Sequence, residues 1–485
     1  MAGIGFELKK LFKEKGVLSN IKAYIYSVMV SLGPFILATI MIVAIQLLLV
    51  FMDKPLREKE LFIATVIYAF IFAQIITSGF TMVITRFVSD MLYTKKLGHI
   101  LPSLYGIIML VIPISAVPSI LFLWGSPLSL EVKLVSYLLF MEIIVTYLIM
   151  VYLSALKDYM KIVKAFSWGV GLTLALSYIF LRFTQLDTVL GMILAMNTGF
   201  LVIISLLHAY LKSFFKTGSA KGPREYFYFL TYFDSFYSLF FISFFYTLGL
   251  YIHNFIFWSS SMGVKISSTY VYAPMYDVPS FYAFLSVMPS MVVFIVSLET
   301  SFYEKYRTYY SLITGKGNFA DIENARKSMA WVLWSEIRNV MELQIFFSLV
   351  FVVAGFYFLP AIGISALSFD IFLLLVIGAY CNIILLVIIL VLLYFEDRKG
   401  AFFISATFLI SNTVFTYGTL LIGERAYGFG FFIAAFFSLI AALIELRAYL
   451  KNINYHTFCG QPVIQKKRIG LFGKLTRTLY RDMEN

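Results

Sequence analysis

Twelve apolar stretches recur along the chain, and each is long enough to cross the ~30 Å hydrocarbon core of a bilayer as a helix. They run over 20–51, 61–89, 99–124, 131–157, 161–182, 186–211, 233–258, 272–302, 340–359, 370–395, 401–422 and 427–451. With 61% hydrophobic and 13% charged residues over 485 positions, the fold class they define is an all-α integral membrane protein.

The positive charges orient these stretches. With the N-terminus in the cytoplasm and sides alternating, 31 of the 38 Lys and Arg fall on the cytoplasmic side and 7 on the other. Losing one span inverts everything after it, so the bias supports twelve spans with both termini cytoplasmic. The basic loop 212–232 then separates an N-lobe, 20–211, from a C-lobe, 233–452. Two groups of six helices suit a transporter built of two repeats around a cavity. Residues 1–19 read as an amphipathic cytoplasmic helix or a charged flank, and 453–485 as a basic tail with no legible function. A net charge of +12 also occurs in nucleic-acid-binding chains, but here the basic residues are spread over loops rather than gathered in one domain.

Polar groups where the bilayer should be are the next signal, because an intramembrane acid costs about 2.5 to 3.5 kcal/mol and faces protein or water. Glu142 lies inside the fourth span, Asp277 and Glu299 near opposite ends of the eighth, and Asp234 at the start of the seventh. Their pattern predicts a substrate path, with packing against neighbouring helices as the competing reading. The eighth stretch reads as one helix kinked at Pro279 and Pro289. Tyr270, Tyr272, Tyr276 and Tyr282 flank Asp277, and flat rings beside a carboxylate can stack on sugars. Gln46, Gln74, Asn197, Asn382 and Asn412 read as ties between helices, and Trp124 and Trp258 as interfacial anchors. By these boundaries no Lys or Arg lies in the middle third of a span, which disfavours gripping a lipid pyrophosphate.

The sizeable non-membrane insertion, 303–339, reads as a continuation of the eighth helix, a turn, and a second helix capped by Asn318 with Asp321 at its third position. Phe319, Ile322, Met329 and Val332 give that helix an apolar stripe, which docks a partner or lies on lipid. Cys381 and Cys459 form no disulfide framework, and there is no zinc pattern, nucleophile elbow or phosphate loop. Nothing in the sequence calls for a catalytic, metal or cofactor site.

The opening MAGIGFELKKL, the pair Gly33-Pro34 and the segment YDVPSFYAFLSVMPSMVVFIVSLETSFYEKYRTYYSLI resemble the PelG family, the membrane transporter of bacterial Pel exopolysaccharide systems, from Met1 to about Leu450. Lys9 departs from the Arg expected there and keeps the charge. The resemblance implies the fold of the flippase superfamily of drug and oligosaccharide exporters, with two six-helix lobes. It also implies the bacterial cytoplasmic (inner) membrane and a polymer rich in N-acetylgalactosamine and partly deacetylated. The partners it implies are a cytoplasmic glycosyltransferase and membrane subunits including a cyclic-di-GMP receptor. Three other classes remain: a proton- or sodium-coupled exporter of small cations, a lipid-linked oligosaccharide flippase, and a scaffold that only assembles a synthase.

Overall fold

In a computed structural model, which describes residues 17–155, 159–215, 224–297, 301–315, 317–361, 363–459 and 470–474, the apolar stretches are helices. In chain order these are α1 (Val17–Phe51), α2 (Leu56–Tyr93), α3 (Ile100–Trp124), α4 (Leu130–Ala155), α5 (Tyr159–Phe183) and α6 (Thr188–Phe214). A short α7 (Arg224–Phe227) precedes α8 (Leu230–Trp258). A two-stranded antiparallel hairpin, β1 (Val264–Ile266) and β2 (Tyr270–Tyr272), leads to α9 (Pro274–Leu285) and α10 (Met288–Ser297). Then follow α11 (Tyr303–Thr314), α12 (Phe319–Ala361), α13 (Ala366–Tyr394), α14 (Arg398–Ile422), α15 (Phe429–Lys451) and α16 (Ile453–Cys459). Among the described residues, 12 segments are long and apolar enough to cross a membrane, the number expected from hydropathy.

Two elements differ from expectation. The eighth span is two helices rather than one: the ladder stops at the turn Ser286–Val287, and Pro289 lies in the first turn of α10, where its missing N–H removes no bond. Pro279 sits inside α9 without interrupting it, and Tyr270–Tyr272 is strand, with Pro274 opening the helix. In the other case, the helix expected over 319–339 and the ninth span are one unbroken α12 of 43 residues, about 65 Å long and twice the span of a bilayer core.

By packing, the chain separates into two units. An N-unit comprises Gly33–Tyr251, Gly263–Tyr272 and the described residues of Lys466–Asn485; a C-unit comprises Ile252–Met262, Ala273–Gln465 and the described residues of Met1–Leu32. The N-unit core is built from side chains such as Ile45, Phe62, Phe87, Leu104, Ile144 and Phe200, all essentially inaccessible. Asn197 donates from Nδ2 to the Val135 carbonyl at 3.0 Å, tying α6 to α4. Gly199 of α6 lies against the Gly169 carbonyl and Thr173 of α5, an approach that leaves no room for a β-carbon. Gly199→Val should therefore part these helices, and the expected result is a markedly lower melting temperature of the detergent-purified protein, with Gly171→Val, whose site is open, as the unaffected control.

Within the C-unit, Phe257, Ile371, Leu375, Phe408, Phe431 and Leu446 are buried. Helix α12 opens with the expected cap: Asn318 Oδ1 accepts from the Asp321 amide at 2.8 Å, and Asp321 Oδ2 from the Asn318 amide at 3.4 Å.

Candidate functional site

The acids predicted to line a path have distinct surroundings. Asp277 stands in the first turn of α9, where a carboxylate suits the helix dipole. Its Oδ1 accepts from Asn254 Nδ2 at 2.8 Å, and Oδ2 from Trp258 Nε1 at 2.7 Å and the Ala273 amide at 2.8 Å. Asn254 and Trp258 belong to the last turns of α8 and are each 9% exposed, so Asp277 clasps the end of α8 to the start of α9. Trp258 is thus a buried donor and not an interfacial anchor, whereas Trp124 is 82% exposed.

The tyrosines do not form one platform around Asp277. Tyr276 is fully buried, its hydroxyl 2.9 Å from His253 Nδ1 and its ring stacked on Phe257 at 3.8 Å, so it offers no free face to a sugar. Tyr282 is half-buried and edge-on to Phe281. Tyr270 and Tyr272 belong to the N-unit hairpin. The Tyr68 hydroxyl donates to the Val271 carbonyl at 2.6 Å and accepts from the Val271 amide at 2.9 Å, which fixes the hairpin to α2. Tyr272 donates to Glu60 Oε1 at 3.4 Å.

Glu142 is the exception among the acids. It projects from α4 inside the N-unit and is 8% exposed, and its Oε2 is buried with no hydrogen-bond partner among the described residues. Asn197 Oδ1 on α6 is a second buried acceptor of that kind in the same unit. The N-unit also joins Gln74 of α2 to Tyr251 of α8, whose hydroxyl donates to Oε1 at 2.7 Å, with Tyr147 of α4 within electrostatic range of Tyr251. Gln74 is exposed there, a placement that composition alone could not reveal.

Asp234 is engaged elsewhere. Its Oδ1 and Oδ2 accept from the backbone amides of Phe472 and Gly473 at 3.1 and 2.7 Å, so both oxygens are engaged by the tail. Glu299 lies outside the described residues, as do residues 1–16 of the expected N-terminal helix.

The stripe expected to dock a partner is mostly used inside the chain. Ile322 and Met329 are buried, with Leu333 and Ile337, Val332 is half-buried, and of the four only Phe319, 76% exposed, faces outward. The physical reason is that α12 packs on α10, α11 and α13, and burial of apolar side chains is favoured over their exposure to water. A polar network secures the hairpin: Tyr309 donates to Asn454 Oδ1 at 2.7 Å, Asn454 Nδ2 to Glu323 Oε2 at 3.3 Å, and Arg326 to Glu323 and to the Leu450 carbonyl. Burial raises the Tyr309 hydroxyl above its ordinary pKa, which keeps it a neutral donor. The outward face instead carries Trp331, 71% exposed.

The fold is that of the MATE transporters. The eukaryotic MATE transporter AtDTX14 aligns with a TM-score of 0.61 at 11% identity, covering 99% of this chain and 100% of that one. An outward-facing multidrug resistance MATE family transporter of the MOP superfamily gives 0.58 at 13% identity, covering 89% and 96%. The Vibrio cholerae MATE transporter VcmN in its bent form gives 0.57 at 15%, covering 93% and 99%. No curated protein matches the chain. Residues 1–458 match the family model "PelG: Putative exopolysaccharide Exporter (EPS-E)". The chain belongs to the PelG family and is a multi-pass membrane exporter of that family.

Proposed function

We propose that the protein exports a Pel-type polymer, rich in N-acetylgalactosamine and partly deacetylated, across the bacterial cytoplasmic membrane. The six-helix lobes 20–211 and 233–452 are the halves of that exporter, both termini are cytoplasmic, and a glycosyltransferase with membrane subunits, one a cyclic-di-GMP receptor, feeds it. The observation that carries this reading is Glu142, a buried carboxylate with an uncommitted oxygen in the interior of an exopolysaccharide exporter. An acceptor of this kind suits sugar hydroxyls and the ammonium groups of deacetylated residues. Glu299 and Tyr282 are further path candidates. Asp277, Tyr276 and Tyr272 support the wall through the bonds described above.

The test is to express the chain with its cognate synthase and measure polymer inside and outside the cell, against the synthase alone. Export should require this chain. Efflux of small cations from proteoliposomes lacking any synthase, with polymer secretion unchanged by loss of the chain, would overturn the reading.

The synthase contact is assigned to the outward face of α12. Trp331 stands between Lys327 and Arg338 at helical spacing, cations 67% and 68% exposed that pair with Glu323 and Glu342, so a face of mixed charge surrounds it. An exposed Trp at the centre of such a face is the residue type that dominates interface energy. Trp331→Ala should cut co-purification of the glycosyltransferase about tenfold, a loss of ~1.4 kcal/mol, while the exporter's melting temperature is unchanged.

A further inference from the structure

The tail beyond residue 458, outside the part of the chain shared with the family, contains a single helical turn over 471–474. A helix start needs a side chain to accept from its first free amides, and Gly470, the preceding residue, has none. Asp234 supplies that acceptor from α8, taking the Phe472 and Gly473 amides at 3.1 and 2.7 Å. A β-carbon at Gly470 would meet the Asp234 side chain, which would have to move off its present position. Beside the clasp the Phe472 ring packs on Phe233 at 5.9 Å. Leu471 and Phe472 remain 84% and 40% exposed, so the turn rests on the surface and is not part of the core.

The place where it rests is also distinctive. Two residues beyond Asp234, α8 loses helical geometry at Phe236, with φ −128° and ψ 26°. Phe236 is flanked by the Arg86 guanidinium at 5.2 Å and the stacked Tyr232 ring at 5.6 Å, and Arg86 pairs with Asp90 at 3.3 Å. A break in a spanning helix is where its two parts can change their relative angle. The clasp holds the short part, 230–235, on the side that would swing.

We propose that residues 470–474 are a reversible strap that docks on Asp234 and restrains the hinge at Phe236, so that the docked tail slows export and its release speeds it. The inference rests on the exporter reading for its transport effect and stands apart from it for its effect on the hinge.

The test uses the full chain. Gly470→Val and Asp234→Ala should each release the turn, raising amide exchange over 232–238 about tenfold and exported polymer about threefold. The pair Asp234→Cys and Gly473→Cys, with Cys459→Ser and Cys381→Ala, should form a disulfide under a mild oxidant, depress export and recover it on adding reductant. Unchanged exchange in both release variants, or a disulfide that fails to form, overturns the docked strap. Faster exchange with export equal to or below the parent overturns the restraint. Should the release variants be lost from the membrane, the locked pair decides alone, and export insensitive to reductant overturns the proposal. Failure of the exporter reading looks different: polymer secretion is then the same with and without the chain, and amide exchange and disulfide formation judge the strap.

Discussion

Glu142→Gln is expected to lower polymer export by about tenfold or more while the protein stays in the membrane at parental abundance or above. The two effects have opposite signs for a physical reason. A hydrogen bond to a charged group contributes about 1.5 to 3 kcal/mol, and an amide gives up the charge and the second acceptor oxygen, so transport suffers by one to two factors of ten. Burying a carboxylate in the bilayer costs about 2.5 to 3.5 kcal/mol, so insertion and packing are eased by the neutral amide. Secreted polymer normalised to membrane-embedded protein separates the two. Parental secretion from this variant would remove Glu142 from the path, and reduced abundance would mark it as a structural group.

Asp277→Ala should act in the contrary manner, by destabilising the C-unit. It strips the acceptor from Trp258 Nε1, Asn254 Nδ2 and the Ala273 amide, two of them side-chain donors on residues 9% exposed. Each buried donor left unpaired costs about 1 to 3 kcal/mol, so a loss on the order of 3 to 5 kcal/mol is expected. That is a large share of the stability of an ordinary domain. The readout is the melting temperature of purified protein together with its yield from membranes. Asp277→Asn should fall between, since its amide oxygen still accepts while its NH2 group faces donors. A fully stable Asp277→Ala with export abolished would restore the path role expected from its position in an apolar stretch.

The contrast between these two acids shows what a linear reading can reach. Both are carboxylates in apolar runs, and nothing local distinguishes them. The donors that occupy Asp277 are 23 and 19 residues away, Asn254 and Trp258, across a strand hairpin that lies between the apolar stretches ending at 258 and beginning at 272. Tyr270–Tyr272 is only three residues of strand, paired with Val264–Ile266 and anchored through Val271 to Tyr68 on a distant helix. The number of spans was legible because each depends on its own composition. So was the cap of α12, since Asn318 and Asp321 are neighbours in sequence. The burial of Ile322 and Met329 was legible as an apolar stripe but not as one engaged inside the chain, because the network that secures the neighbouring α11 runs through Asn454, 131 residues from Glu323.

Helix α12 has one more consequence. Phe319–Ala361 runs 43 residues with no Gly or Pro until Gly355, so the turn bearing Trp331 and the membrane part of the helix form a single stiff rod. A force applied at Trp331 is delivered to the ninth span as tilt or rotation, because no joint lies between them to absorb it. A synthase bound there would therefore hold the handle of a lever, and each cycle of chain elongation would be felt inside the membrane.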